Sequence, residues 1–316
     1  MKRDFKVLLT GGAGFIGSHL AERLLADGCR VVVLDNLYTG KLQNLKRCSQ
    51  NPNFHFIKGD IRGKKILDMA TVGVDAVIHQ AAITSVPLSI KNPKFVYGVN
   101  VAATVNLLKS CMKNDVVRFI FASSAAVYGV AKKMPISESA PTKPLSPYGE
   151  SKLRVEKYCQ KFWDERGLET VCLRYFNVYG PRQTAGQYAG VISRFFDRLE
   201  DKLPPIIYGD GEQTRDFVYI NDAVEATVLA LSCEKAAGKI LNIGTGEATS
   251  VNQLSQTFMK LMHRSDVEPK HVAPRVGDIR HSQADITKAK KILGYKPKVS
   301  LKQGLKKFIE WKCSTK

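Results

Sequence analysis

Short runs of aliphatic and β-branched residues recur along the first half of the chain, and most are followed by a longer stretch of helical period. KVLLT (6–10), RVVVLD (30–35), FHFIKGD (54–60), AVIHQAA (76–82), RFIFASS (118–124) and TVCLRYFNV (170–178) predict strands. SHLAERLLAD, VNVAATVNLLKSCMK and YGESKLRVEKYCQKFWDERG lie between them with apolar residues at helical spacing. Apolar strands alternating with amphipathic helices are the mark of parallel β-α-β units covered on both faces. The expected fold class is therefore α/β, a doubly wound parallel sheet.

After Gly180 the rhythm loosens, with prolines at 181, 204 and 205 and a glycine turn at YGDGEQ. This predicts a smaller C-terminal lobe and a chain that crosses between the two parts. The expected division is residues 1–177 plus about 217–241 for the first domain, and 178–216 with 242–316 for the lobe. No internal repeat interrupts the pattern.

Composition narrows the class. Hydrophobic residues make up 44% and charged residues 24% of 316 positions, ordinary for a globular protein able to bury a full core. No apolar run approaches the roughly 18 residues of a membrane helix, and the start, MKRDFKVLLTGGAG, passes straight into a glycine turn rather than a secretory leader. Seven scattered cysteines without a CxxC pair or nearby histidines predict reduced thiols in a cytoplasmic protein, with no metal site. The net charge of +19 is high, but the C-terminal lysines alternate with Ile292, Leu293, Leu305, Phe308 and Ile309 at helical spacing. They read as the wet face of amphipathic helices, and no nucleic-acid or membrane partner is expected.

The chemistry begins at TGGAGFIGSHL (10–20), which follows a predicted strand and opens a predicted helix. Gly12, Gly14 and Gly17 satisfy G-x-G-x-x-G, and Gly11, Gly14 and Gly17 the wider G-x-x-G-x-x-G. Such a turn lets backbone approach a pyrophosphate, whose charge sits on the amides of the helix start. The sheet is thus Rossmann-like. Asp35 closes the second strand at the distance expected of the acid that grips the adenosine ribose, which favours NAD over NADP because a carboxylate repels a 2′-phosphate. Asp60, at the next strand end, can accept from the adenine amino group.

SPYGESK (146–152) places Tyr148 and Lys152 four residues apart, on one helix face. Ser146 is the expected N-cap and Pro147 the first helical residue. Hydride removal from a secondary alcohol also requires loss of the hydroxyl proton. A tyrosine serves as that base near neutral pH only if cations stabilise its phenolate. Lys152 supplies one such cation, and Ser124, at the carboxyl end of a strand, can bond the same hydroxyl.

These segments, with SSAAVYG (123–129), RYFNVYGPRQ (174–183) and GDGEQTRDFVYINDA (209–223), resemble the extended short-chain dehydrogenase/reductases acting on nucleotide sugars, most closely the NAD-dependent UDP-glucose 4-epimerase group. The resemblance runs over essentially the whole chain. It implies Tyr148 as base, Lys152 as its partner and holder of the nicotinamide ribose, and Ser124 as the family's serine or threonine. It places Gly11, Gly14, Phe15, Ile16, Asp35, Asn36, Asp60, Ile61, Ala81, Asn100 and Tyr175 at the NAD contacts. Asn177, Val191, Arg215, Arg275 and Asp278 fall where such proteins hold the UDP-sugar. Arginine forks facing a diphosphate make physical sense. A homodimer through the helices beginning near Val99 and Tyr148 is implied as well, as is an NAD that stays bound and is regenerated at each turnover.

Within this family the 4,6-dehydratases carry an acidic residue directly after the strand-end serine or threonine. Here those places are Ala125 and Ala126, and the decarboxylases' usual glutamate is also absent. The expected reaction is inversion at C4 of UDP-glucose or UDP-galactose through a 4-keto sugar. In glucose-restricted members a tyrosine lies four places after the residue matching Asp278. That place is Ser282, which leaves UDP-GlcNAc and UDP-GalNAc open. UDP-glucuronate 4-epimerase is the same-class alternative, and a non-catalytic dinucleotide-binding module with a basic RNA- or protein-binding surface the different-class one.

Overall fold

The computed structural model describes residues 4–183, 190–275 and 277–315. Its first strands are β1 (Lys6–Thr10), β2 (Arg30–Asp35), β3 (Phe54–Lys58), β4 (Ala76–His79), β5 (Arg118–Ser124) and β6 (Glu169–Tyr175). Shorter ones follow: β7 (Asn177–Tyr179), β8 (Ile206–Tyr208), β9 (Thr214–Arg215), β10 (Phe217–Tyr219), β11 (Lys239–Ile243), β12 (Thr249–Ser250) and β13 (Lys270–Val272). Seven of them make one sheet in the order β11-β6-β5-β4-β1-β2-β3, parallel at every pairing. Three of the predicted strands have the predicted ends. The third, fourth and sixth were expected to run on, but β3 stops at Lys58, β4 at His79 and β6 at Tyr175.

The helices are α1 (Phe15–Ala26), α2 (Lys64–Ala70), α3 (Val86–Lys91), α4 (Pro93–Tyr97), α5 (Ala103–Lys113), α6 (Pro147–Arg166), α7 (Val191–Glu200), α8 (Ile220–Ser232), α9 (Val251–Leu261), α10 (Thr287–Leu293) and α11 (Leu301–Ser314). The pleat divides the sheet's side chains between two cores. Val7 and Leu9 of β1 join Leu20 and Leu24 of α1 on one face, while Leu8 joins Leu67, Leu107, Leu108 and Val155 on the other. The helix expected from Val99 begins instead with a π-turn over Gly98–Ala102. In α11, Leu305 and Phe308 are buried and Lys302, Lys306 and Lys307 are exposed, as the lysine-rich pattern predicts.

The chain leaves the sheet at Phe176. Its N–H still donates to Ile243 O of β11, but the Asn177 N–H donates to Asp216 O, and β7 then pairs with β10. Asp216 is spent on structure. Its carboxylate accepts from Thr245 and Gly246 N–H and from the Ala284 N–H, which ties the start of β10 to the segment after β11. That crossing carries the short strands to the carboxyl side of the sheet.

β1 and β4 are neighbours whose following loops diverge, the place where open α/β sheets form a crevice. Backbone packs closely there. A Cβ built on Gly17 would stand 2.2 Å from Gly11 O, and one on Gly11, at φ +71°, would stand 2.6 Å from Ala81 N. Gly17→Ala is therefore predicted to lose about 1–3 kcal/mol in denaturant unfolding; unchanged stability would contradict the contact.

Candidate active site

The crevice opens into a cavity of about 560 Å³. Gly11, Gly14, Phe15, Ile16 and Gly17 form one wall, where α1 starts at Gly14 with no side-chain cap and so leaves its first amides to a ligand. Asp35, Asn36, Asp60 and Ile61 line the far end, and Ala81, Ser124, Tyr148, Lys152 and Tyr175 the near one.

Asp35 has one oxygen on the Ala13 N–H (2.9 Å) and the other on the Leu37 N–H (2.8 Å). Burial raises its pKa and the two amides oppose that. The remaining lone pairs suit a ribose diol. Asp60 is held well down, to about 2, chiefly by hydrogen bonds from Arg62 and with help from Asn36. Arg62 also lies over the Phe95 ring, 5.6 Å from its centroid, and both line the cavity. The sequence reading missed this pair, although an arginine two residues beyond a strand-end aspartate was available as a signal.

Asn100 stands elsewhere than expected. It is buried, its Oδ1 accepts from Ile83 N–H (2.8 Å), and its Nδ2 donates to Ile83 O (3.0 Å) and Ser151 Oγ (3.0 Å). Its amide is consumed in pinning the loop after β4 to α6, so it supports the cavity wall without being on it. His79 works on the same loop. Thr104 gives its proton to Asn100 O, so its oxygen accepts from His79 Nε2–H, and Nδ1 then accepts from the Thr10 hydroxyl. Burial, then the charge of Lys152, holds this imidazole down to about 3, and it stays neutral.

Helix α6 begins as expected. Ser146 Oγ accepts from the Gly149 N–H (3.2 Å) and Pro147 is the first helical residue. That start puts Tyr148 in the first turn and Lys152 one turn deeper. Lys152 is 4% exposed, and its ammonium donates to Ala122 O (2.7 Å) and lies 6.0 Å from the Tyr148 ring centroid. Burial brings it down from 10.5 to about 8, against the opposing charge of Glu156. Burial raises Tyr148, and a hydrogen bond with Ser124 lowers it. Tyr175, also on the wall, has its hydroxyl engaged with Thr227 (2.6 Å) and Gln80 (3.3 Å).

A second cavity of about 460 Å³ adjoins the first. Phe176, Val178 and Gly190 face one, and Asn177 and Val191 the other, so the two share a wall at β7 and the start of α7. Four arginines line it, Arg194, Arg198, Arg215 and Arg275, against Asp197 and Asp278. Arg215 pairs with Asp278 at 2.5 Å rather than with its neighbour Asp216, and Arg275 lies over the Tyr208 ring at 3.8 Å. Burial, then the charge of Arg275, lowers the Arg194 pKa. Arg194, Arg198 and Tyr208 were not anticipated; the cue was arginines at helical spacing in VISRFFDR. Ser282 is buried, its N–H donates to Thr214 O in the backing of β9, and it is not among the residues lining the two cavities.

A parallel sheet with a glycine turn at the switch point, an acid after β2 and a Ser, Tyr and Lys at one cavity end defines a dinucleotide-binding oxidoreductase-type site. The pattern of the NAD dependent epimerase/dehydratase family matches residues 7–244, and the chain belongs to that family. A UDP-glucose 4-epimerase of Mycolicibacterium smegmatis is 37% identical over 97% of this chain and 98% of its own length. The solved UDP-N-acetylglucosamine 4-epimerase of Methanobrevibacter ruminantium M1, in complex with UDP-N-acetylmuramic acid, superposes with a TM-score of 0.95 at 36% identity, covering 100% of both chains. A UDP-glucuronic acid 4-epimerase mutant of Bacillus cereus, solved with NAD and a fluorinated UDP-glucuronic acid, gives 0.92 at 35% identity over 99% of this chain and 100% of its own. The family is NAD-dependent, and the glycine turn, the exposed amides of α1 and the Asp35 lone pairs fit that cofactor.

The buried ammonium carries a stability signature. With a folded pKa near 8 against 10.5 when free, its charge is a cost fully present below pH 8 and relieved as pH rises towards 10.5. Lys152→Met in the ligand-free protein is predicted to be more stable than wild type at pH 7, by on the order of 3 kcal/mol, with the gap closing towards pH 10. A gap independent of pH would contradict the assignment.

Proposed function

We propose that the protein is a 4-epimerase of a UDP-hexose, acting through a 4-keto sugar with NAD retained between turnovers. The observation that carries this is the chemical make-up of the reacting end. Ser124, Tyr148 and Lys152 are together there, while the positions directly after Ser124 are Ala125 and Ala126. Relatives of the chain include a dTDP-D-glucose 4,6-dehydratase of Homo sapiens and a UDP-N-acetyl-alpha-D-glucosaminuronate decarboxylase of Bacillus cytotoxicus. Elimination of water across C5 and C6 needs a carboxyl group beside the sugar. The acids lining the first cavity, Asp35 and Asp60, are at its opposite end.

In this reading Tyr148 takes the proton of the C4 hydroxyl and later returns it, with Ser124 holding that oxygen. Bound at the glycine turn and Asp35, NAD would supply a reversible hydride acceptor for C4. Lys152, with one donor on Ala122 O, keeps the others for Tyr148 and the ribose hydroxyls, and its charge favours the phenolate. The arginine-lined cavity grips the diphosphate, with Arg215 and Arg275 nearest in character to phosphate forks. Tight anchoring there leaves the sugar free to turn over. The family likeness also supports a homodimer.

Arg194 favours a second reading. Its guanidinium faces a cavity already rich in arginine and, among the described residues, has no carboxylate partner within ion-pair distance. The C6 carboxylate of UDP-glucuronate would supply one.

Incubating purified protein, without added NAD, with UDP-Glc, UDP-Gal, UDP-GlcNAc, UDP-GalNAc and UDP-GlcA separates these readings. Interconversion of at least one C4 pair is expected, and elimination or decarboxylation products would overturn the proposal. Tyr148→Phe is predicted to lower kcat by about 10²–10⁴-fold; near-normal turnover would remove it as the base. If UDP-GlcA is the substrate, Arg194→Ala is predicted to raise its KM at least tenfold, a loss of about 1.4 kcal/mol, and an unchanged KM would reject that contact.

A further inference from the structure

Helix α6 carries a third ionisable residue in line with Tyr148 and Lys152. Glu156 follows Lys152 by one turn, so the three share one stripe at i, i+4 and i+8. It is 2% exposed and lines neither cavity. Its Oε1 accepts from Ser123 Oγ (2.5 Å) and Arg174 Nε (2.9 Å), and its Oε2 from an Arg174 terminal nitrogen (2.7 Å). Ser123 stands between Ala122, whose carbonyl receives the Lys152 ammonium, and Ser124. Arg174 in turn lies over the Tyr128 ring at 4.7 Å and donates to Glu138 O.

A buried ion pair is weak as a source of stability, because desolvation consumes most of the attraction. This one joins α6 to β5 and β6, one residue from Ser124 on β5 and one helical turn from Lys152 on α6. We propose that Glu156, clamped by Arg174 and Ser123, is a positioning residue that fixes the height of α6 on the end of β5 and keeps the Lys152 ammonium charged in its buried place. The inference rests on the proposed role of Lys152.

The groups facing this ammonium are Tyr148 and Glu156 from α6, neutral His79 from β4 and the Phe121 ring from β5, 4.9 Å away. Arg174 and the Cys172 thiol of β6 stand by Glu156. Glu156 is the acid in that set. Its removal leaves burial unopposed, and the ammonium loses its proton at lower pH.

The test uses the full chain with Glu156→Gln, and with Glu156→Gln/Arg174→Met, which leaves no unpaired buried charge if the single variant does not fold. The Lys152 titration is followed by NMR in the ligand-free protein, and kcat and KM are followed against pH. Lys152 is expected to titrate about one pH unit lower than in wild type, with the alkaline fall of kcat moving down alongside it and KM unchanged. An unchanged Lys152 titration in a folded variant overturns the inference. A shifted titration without a shifted kcat profile would instead leave the positioning intact and reject Lys152 as a catalytic group.

Discussion

A buried ammonium at the carboxyl end of β5 is the constraint on which the rest of the site depends. Lys152 gives up hydration to stand on the cavity wall, and among the described residues Ala122 O is the hydrogen-bond partner it receives in return. Such a group persists only where the backbone over-determines it. The cap at Ser146 sets where α6 begins, while the Asn100 amide between Ile83 and Ser151 and the Glu156–Arg174 pair tie it to the loop after β4 and to β6. With the helix held, the two remaining ammonium donors point to chemistry rather than to structure.

The two cavities divide the work by charge. In the first, acids are already satisfied: Asp35 by amides and Asp60 by Arg62, so they offer lone pairs without repelling a ligand strongly. In the second, arginines outnumber acids, and three of them, Arg194, Arg198 and Arg215, lie half-buried, where an anion gains most from them, while Arg275 is exposed. In the proposed reaction the wall they share, Phe176 to Val178 with Gly190 and Val191, would stand between a cofactor on one side and a diphosphate on the other. Inversion at one carbon needs that arrangement, a firmly held cofactor and diphosphate on either side of a loosely held sugar.

Much of this was legible in the sequence because it is local. The Gly11–Gly17 turn, the Asp35 strand end and the α6 start at Ser146 each lie within one element or loop, so sequence spacing sufficed to place them in the fold. The surroundings of Asn100 and Ser282 were not legible in this way, because they come from contacts far along the chain: the Asn100 amide meets Ile83 and Ser151, and the Ser282 backbone N–H meets Thr214 O. Arg62, Arg194 and Tyr208 were missed since their meaning arises only when loops from different strands close on one cavity. The break at Phe176 was invisible for a related reason: TVCLRYFNV is uniformly strand-like, and the switch from β11 to β10 is set by Asp216 and the segments it ties together.

The central claim is that the hydrogen at C4 leaves and returns within one closed site. Its most direct measurement uses UDP-hexose carrying deuterium at C4, with protein supplied without added NAD. The account predicts that the epimerised product retains the label at C4 with no loss to solvent. Washout of the label into water, or epimerised product bearing solvent hydrogen at C4, would contradict it.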